Sequence, residues 1–330
     1  MTKKLLILFL LSCECIFAQQ VTPSDCNPCI CPCNDMCGFF IGAEGLYWTA
    51  CQDDLEYAAD VGEGGILVGP GENHSLHYPW KTGIRGWWGI HCAGGEGRFV
   101  YTWIQNKAHG HKEGDLIATL IHPASPGFEA SEARGHNQFE FQTLDMLFGN
   151  NLSYCCDAIW IHPYFGARAM KLYQKFNVHY NGIDFENTGI VKAHSLLKAG
   201  GITAGFDMLY KFTPCFRIYG GFAGSLLGGR AEAHQRQQSN VNGDIETQID
   251  LEDSKFVCVP GYQARAGLAW RFHCTNYYDF LFTIGYEFSH WFRVPTTQRF
   301  VDNVNEGVSE SLTRGGLTLH GATVSMLFAF

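Results

Sequence analysis

Two groups of side chains in this sequence stand where they could do chemistry. The first is thiol. Cys26-Asn-Pro-Cys-Ile-Cys-Pro-Cys-Asn-Asp-Met-Cys37 puts Cys26, Cys29, Cys31, Cys33 and Cys37 in one short segment of a chain with 14 cysteines. Cys-x-x-Cys spacing beside further cysteines suits zinc in a reducing cell and disulfides in an exported protein. The second group is charge inside apolar, alternating segments: Arg85, Arg98, Asp145, Arg168, Asp207, Arg217, Arg265, Arg271 and Glu287. Such groups either pair with one another or set the electrostatic field along an aqueous path. Weaker candidates are Asp53, Asp54 and Glu56, which could hold calcium or activate water, and His109, His111, His122 and His136, which could hold a transition metal. The chain has no Gly-x-Ser-x-Gly, no His-Glu-x-x-His and no phosphate loop, so no enzyme and no cofactor are expected.

The elements that carry these residues read as strands. At the end of the chain, Ala322, Val324, Met326, Phe328 and Phe330 share one face, and Gly321, Thr323, Ser325 and Ala329 share the other, with Leu327 the single large apolar member there. One greasy face and one small, polar face is the pattern of a membrane barrel strand. In Tyr278–Phe292, Phe280, Phe282, Ile284, Tyr286, Phe288 and Phe292 oppose Thr283, Gly285, Glu287 and Ser289. A charge facing hydrocarbon costs roughly 2–4 kcal/mol at the bilayer midplane. The nine charged residues are therefore predicted to face the interior and line a pore, or to fill it as a salt-bridged network.

Export is written at the other end. Met1-Thr-Lys-Lys4 is basic, Leu5 to Leu11 is apolar, and Ile16-Phe-Ala18 precedes Gln19, the layout of a secretory signal covering 1–18. Leu10-Leu-Ser-Cys13 offers a lipoprotein-type alternative. After the signal no apolar run is long enough for a spanning helix. Charged residues make up only 17% of the chain against 14% aromatics and 38 glycines, which disfavours an ordinary soluble enzyme and fits a membrane barrel. The net charge of -9 argues against nucleic acid as a partner.

Alternating segments fall near 38–50, 78–92, 96–108, 138–150, 158–180, 194–212, 215–235, 255–273, 278–294 and 315–330. Short connections alternate with long ones at 51–77, 109–137, 181–193, 236–254 and 295–314. This predicts an all-β, transmembrane antiparallel barrel of ten strands over 38–330, with short periplasmic turns and long external loops. Twelve strands would follow from a hidden hairpin around Asp115-Leu-Ile-Ala-Thr-Leu-Ile121. Residues 19–37 form a Cys-rich periplasmic segment, which prolines at 23, 28 and 32 keep out of any ladder. Cys92, Cys155, Cys156, Cys215 and Cys274 fall on the same periplasmic side, and Cys51 and Cys258 lie near strand ends on the outer side. Disulfides are expected both within the chain and to other chains, and no metal.

A resemblance joins this reading. Phe39-Phe-Ile-Gly-Ala-Glu-Gly-Leu-Tyr-Trp-Thr-Ala-Cys-Gln-Asp-Asp-Leu-Glu-Tyr-Ala58 resembles the first strand and loop of major-outer-membrane-protein-like families, the Legionella type and its chlamydia-related relatives. Lys81-Thr-Gly-Ile-Arg-Gly86, His162-Pro-Tyr-Phe-Gly-Ala-Arg168, Gly220-Gly-Phe-Ala-Gly-Ser-Leu-Leu-Gly-Gly229 and Gly285-Tyr-Glu-Phe-Ser-His-Trp-Phe292 follow in matching order. The resemblance implies an abundant porin in the outer membrane of a Gram-negative bacterium, allowing passive diffusion of small solutes. From the chlamydial side it also implies an envelope stiffened by disulfides. Expected partners are outer-membrane lipid, and other envelope proteins or copies of the chain itself through disulfides, with a homo-oligomer by analogy with porins. The alternative is a non-conducting structural or adhesin barrel with surface-exposed binding loops.

Overall fold

Strict alternation along each segment is what makes it a barrel stave. In β1 (Gly38–Gln52), Phe39, Ile41 and Tyr47 are exposed while Phe40, Glu44, Leu46 and Trp48 are buried. A computed structural model describes residues 37–61, 72–92, 95–121, 129–154, 158–182, 185–213, 215–241, 244–275, 278–295, 299–300, 309–310 and 314–329. After β1 come β2 (Glu56–Asp60), β3 (Asn73–Ser75), β4 (Lys81–Cys92), β5 (Gly95–Ala118) and β6 (Glu129–Gly149). Next are β7 (Leu152–Tyr154), β8 (Ile159–Gly182), β9 (Phe185–Lys211), β10 (Phe216–Val241) and β11 (Asp244–Thr275). The chain ends with β12 (Tyr278–Pro295), β13 (Arg299–Phe300), β14 (Ser309–Glu310) and β15 (Arg314–Ala329).

Ten of these close a ring in the order β1-β4-β5-β6-β8-β9-β10-β11-β12-β15, every neighbour antiparallel. Closure is made by β15 on β1, from Phe40 opposite Ala329 to Gln52 opposite Leu317, so the sheet has no free edge there. β2 and β3 belong to the first external connection and pair onto the end of β5, and β13 and β14 pair within the last one.

Three of the expected long loops are mostly strand. Pairing of β5 with β6 continues to Ile117 opposite Glu129, that of β8 with β9 to Gly182 opposite Phe185, and that of β10 with β11 to Val241 opposite Asp244. These stretches read as loop because their outward positions turn polar, yet outward polarity above the lipid is compatible with an unbroken ladder. Asp115–Ala118 is the end of β5 rather than a hidden hairpin, and the membrane-crossing strands number ten. Cys258 consequently sits within β11, on its outward face, rather than near a strand end.

Outward apolar side chains mark the lipid band, for example Ile202, Phe206, Met208 and Tyr210 on β9 and Ile218, Phe222 and Leu226 on β10. At the periplasmic rim Cys37 is disulfide-bonded to Cys92, joining the start of β1 to the end of β4 with Cα atoms 4.3 Å apart. Closing a loop across 55 residues of sequence is worth about 4 kcal/mol in the chain-entropy picture. Replacing both cysteines with serine is expected to remove about 2–4 kcal/mol of unfolding free energy, read as a lower urea midpoint of the refolded barrel. An unchanged midpoint would count against the bond. Cys26, Cys29, Cys31, Cys33, Cys155 and Cys156 lie outside the described residues, as do the side chain of Cys274 and Phe330.

Candidate functional site in the barrel interior

All nine charged residues singled out from the sequence occupy interior positions, because each falls on the parity opposite its strand's lipid-facing residues. Most of them pair with a neighbouring charge, and most border one interior cavity. Arg85 donates from Nη1 to Glu44 at 2.7 Å and grips Glu287 through Nη1 and Nη2 at 2.7 and 2.8 Å, while its Nε reaches Thr102 at 3.0 Å. β4 and β12 are three places apart in the ring, so this cluster spans the lumen. Arg168 grips Asp145 bidentately at 2.7 Å and uses Nη1 to reach Ser225 and Gln263, both at 2.9 Å. Asp207 lies between Arg265 at 2.7 Å and Arg98 at 3.1 Å. Arg217 is buried on β10, and Arg271 is half-buried on β11. Glu44 escaped the sequence reading; its inward parity, opposite Arg85 on the neighbouring strand, was the available signal.

The ionic layer separates two different halves. On its periplasmic side is a cavity of about 440 Å³ bordered by Phe40, Trp87, Glu96, Arg98, Tyr164 and Leu281, among others. Directly on its external side the interior is crossed by a packed apolar layer, with buried polar side chains such as Asn137 and Gln174 beyond it. Trp48 and Trp291 are 1% and 0% exposed, with Ile104, Phe141, Leu172, Leu197, Leu227, Leu317 and Leu319 buried around them. Phe141 of β6 and Trp291 of β12 come from opposite walls, and their ring centroids are 5.9 Å apart. Gln52 of β1 donates to Gln174 of β8 at 3.1 Å, again across the barrel. Arg85 lies 5.4 Å from the Trp48 ring centroid and Arg168 5.6 Å from that of Trp291, so the charged and aromatic layers are in contact.

The first external connection completes the filling. Leu55, Tyr57, Leu76 and Tyr78 join the apolar core, and Tyr180 donates its hydroxyl to the Tyr57 carbonyl at 2.7 Å. The seat for this plug is a pair of glycines facing each other across β5 and β6, Gly110 and Gly135. A Cβ on Gly110 would lie 2.6 Å from Leu76 and 2.8 Å from Tyr57, and one on Gly135 would lie 3.0 Å from Tyr57. Gly110→Leu is therefore expected to lever the plug out, exposing sites around Tyr57 to protease while the barrel itself keeps its heat-modifiable migration. Equal protease resistance of the variant and the parent would refute the seat.

The other candidates fall apart as one site. Asp53 fastens a turn, accepting from the Gly316 amide at 2.7 Å. His109 and His136 face outward side by side, with Nδ1 atoms 3.0 Å apart. His111, Glu113 and Glu132 gather beside them, but Glu132 is already engaged by Asn181, Arg134 and His111. Those contacts, the Asn181 amide foremost, hold its carboxyl down at about 2. A depressed carboxyl contributes stability above its unfolded value and loses it as pH falls through the folded one. The β5–β6 tip should therefore keep its hydrogen-exchange protection at pH 4 and lose part of it between about 4 and 2; loss already complete at pH 4 would contradict this. His122 lies outside the described residues.

The family model of the Legionella pneumophila major outer membrane protein precursor matches residues 30–328. The chain belongs to that family. As a member, it is a Gram-negative outer-membrane barrel. Solved structures similar to it include the outer membrane protease OmpT from Escherichia coli, at 9% identity, covering 89% of this chain and 96% of that one, with a TM-score of 0.44. Another is a Pseudomonas aeruginosa FadL homologue, at 8% identity, covering 90% of each chain, with a TM-score of 0.24. A mutant of the monoaromatic hydrocarbon channel TodX has 8% identity, 89% and 90% coverage and a TM-score of 0.33. No curated protein matches the chain.

Proposed function

We propose that this family member is a structural, surface-presenting barrel whose interior is closed to passive diffusion. The observation that carries this is the contact of Phe141 with Trp291 from opposite walls, both within a buried apolar layer. An ion crossing that layer would shed its hydration, a penalty of several kcal/mol or more. The reading includes no catalysis and no cofactor. It includes disulfide links to other envelope chains, supported by the sequence cluster Cys26–Cys33 left over from the Cys37–Cys92 bond and by the exposed thiols of Cys51, Cys215 and Cys258. Native envelopes run without reductant should show high-mass species that collapse to a single monomer band with reductant. Monomers alone in the absence of reductant would remove the cross-linking role.

A second reading, a gated porin, is favoured by the plug being a separable chain segment above a charged cavity. Conductance of the parent and of a plug-deleted variant separates the two.

A further inference from the structure

We infer that the outer wall just above the lipid band is a binding site for the phosphorylated sugar headgroup of an outer-leaflet glycolipid of the lipid A type. This rests on the chain's place in the outer membrane and not on whether its lumen conducts. The argument starts from register. Lys171 of β8 is directly opposite Lys198 of β9, and Lys198 is directly opposite Arg230 of β10. All three are exposed. Two like charges placed face to face on one side of a sheet repel, so three in a row is an arrangement that neighbouring side chains alone do not stabilise.

Above this row the same face repeats the theme. Lys175 stands opposite His194, and Lys192 stands opposite Arg236, two and three outward positions further on. Carboxylates reach only part of the patch. Arg230 is near Glu232 of its own strand, and Arg236 is bound to Asp250 of β11. On β6 the nearest carboxylate, Glu140, is taken up by Gln142. Among the described residues the lysines that form ion pairs are Lys112, with Asp60, and Lys255, with Asp253. Among the described residues Lys171, Lys175, Lys192 and Lys198 form none.

Height then selects the ligand. The outward residues of β9 run Tyr210, Met208, Phe206, Ala204, Ile202 and Gly200 before Lys198. At about 3.3 Å per residue and a tilt near 40°, that run spans about 25 Å, the thickness of the apolar band of such barrels. The Lys171–Lys198–Arg230 row is thus at the external hydrocarbon edge, where a glycolipid carries its phosphates. Lys175 and Lys192 are placed for phosphates further out on the sugar. Ammonium and guanidinium groups are the natural partners of phosphate oxygens, the guanidinium through paired N–H donors.

The probe is diphosphoryl lipid A in phosphatidylcholine nanodiscs, compared with the same lipid stripped of its phosphates, using full-length disulfide-bonded protein. At about fivefold in affinity per surface cation, the parent should prefer the phosphorylated lipid by at least tenfold. The variant Lys171→Gln/Lys198→Gln/Arg230→Gln should lose on the order of a hundredfold, and Lys112→Gln should lose nothing. Lys175→Gln/Lys192→Gln provides an independent reading should the triple variant fold poorly. Equal affinity for the two lipids, a triple variant as tight as the parent, or full competition by millimolar inorganic phosphate would each overturn the inference. The last would point to a free-anion site instead.

Discussion

In planar bilayers the full-length protein is expected to insert without discrete conductance steps. A variant in which residues 55–78 are replaced by a short Gly-Ser linker is expected to stay silent as well. The plug contributes Leu55, Tyr57, Leu76 and Tyr78 to the core, but Trp48, Ile104, Phe141, Leu172, Leu197, Leu227, Trp291 and Leu317 belong to the wall and remain. Beneath them the Arg85–Glu44–Glu287 cluster still crosses the lumen. Reproducible steps from the parent would establish a porin and end the closed-barrel reading. Steps from the linker variant alone would establish the gated one. Removing wall side chains, as in Phe141→Ser/Trp291→Ser, should be needed before current appears, because only then is the apolar layer breached.

The second large effect is expected at Arg85. Its Nη1 is 2.7 Å from both Glu44 and Glu287, so Arg85→Met leaves two carboxylates buried together without the cation that binds them both, and only Arg265, opposite Glu287 on the next strand, offsets part of the loss. Breaking a buried ion pair on one side costs about 3–5 kcal/mol, and here two partners are stranded. The expected readout is a large drop in the urea midpoint, or failure to reach the heat-modifiable form. Replacing the whole set, Arg85→Met/Glu44→Leu/Glu287→Leu, should restore most of that loss, since well-packed apolar groups often match a buried ionic cluster. A triple variant as unstable as Arg85→Met would show that the charges do more than fill the barrel.

Much of this was legible locally. Phe328, Met326 and Val324 against Thr323 and Ser325 define an outward and an inward face without knowledge of any neighbour, and β15 has those faces. The same parity put Arg265 and Glu287 inside. Polar stretches such as 236–254 misread as loop because sequence polarity reports solvent on one face, and the ladder of β10 with β11 needs only backbone. The plug was illegible, since Tyr57 and Leu76 acquire meaning only from the notch at Gly110 and Gly135, far along the chain.

The sequence by itself pointed to an outer-membrane barrel of ten strands with twelve left open, and alternation with period two determined the lipid-facing parity of its strands and the inward placement of their charges. The tertiary structure alone decided that Arg85 meets Glu287, that Phe141 reaches Trp291, and that Lys171, Lys198 and Arg230 stand in one row. Such meetings depend on how ten strands close and how far each is staggered against the next. Closure and stagger are properties of the whole ring, set by register and diameter together, and no single segment carries them.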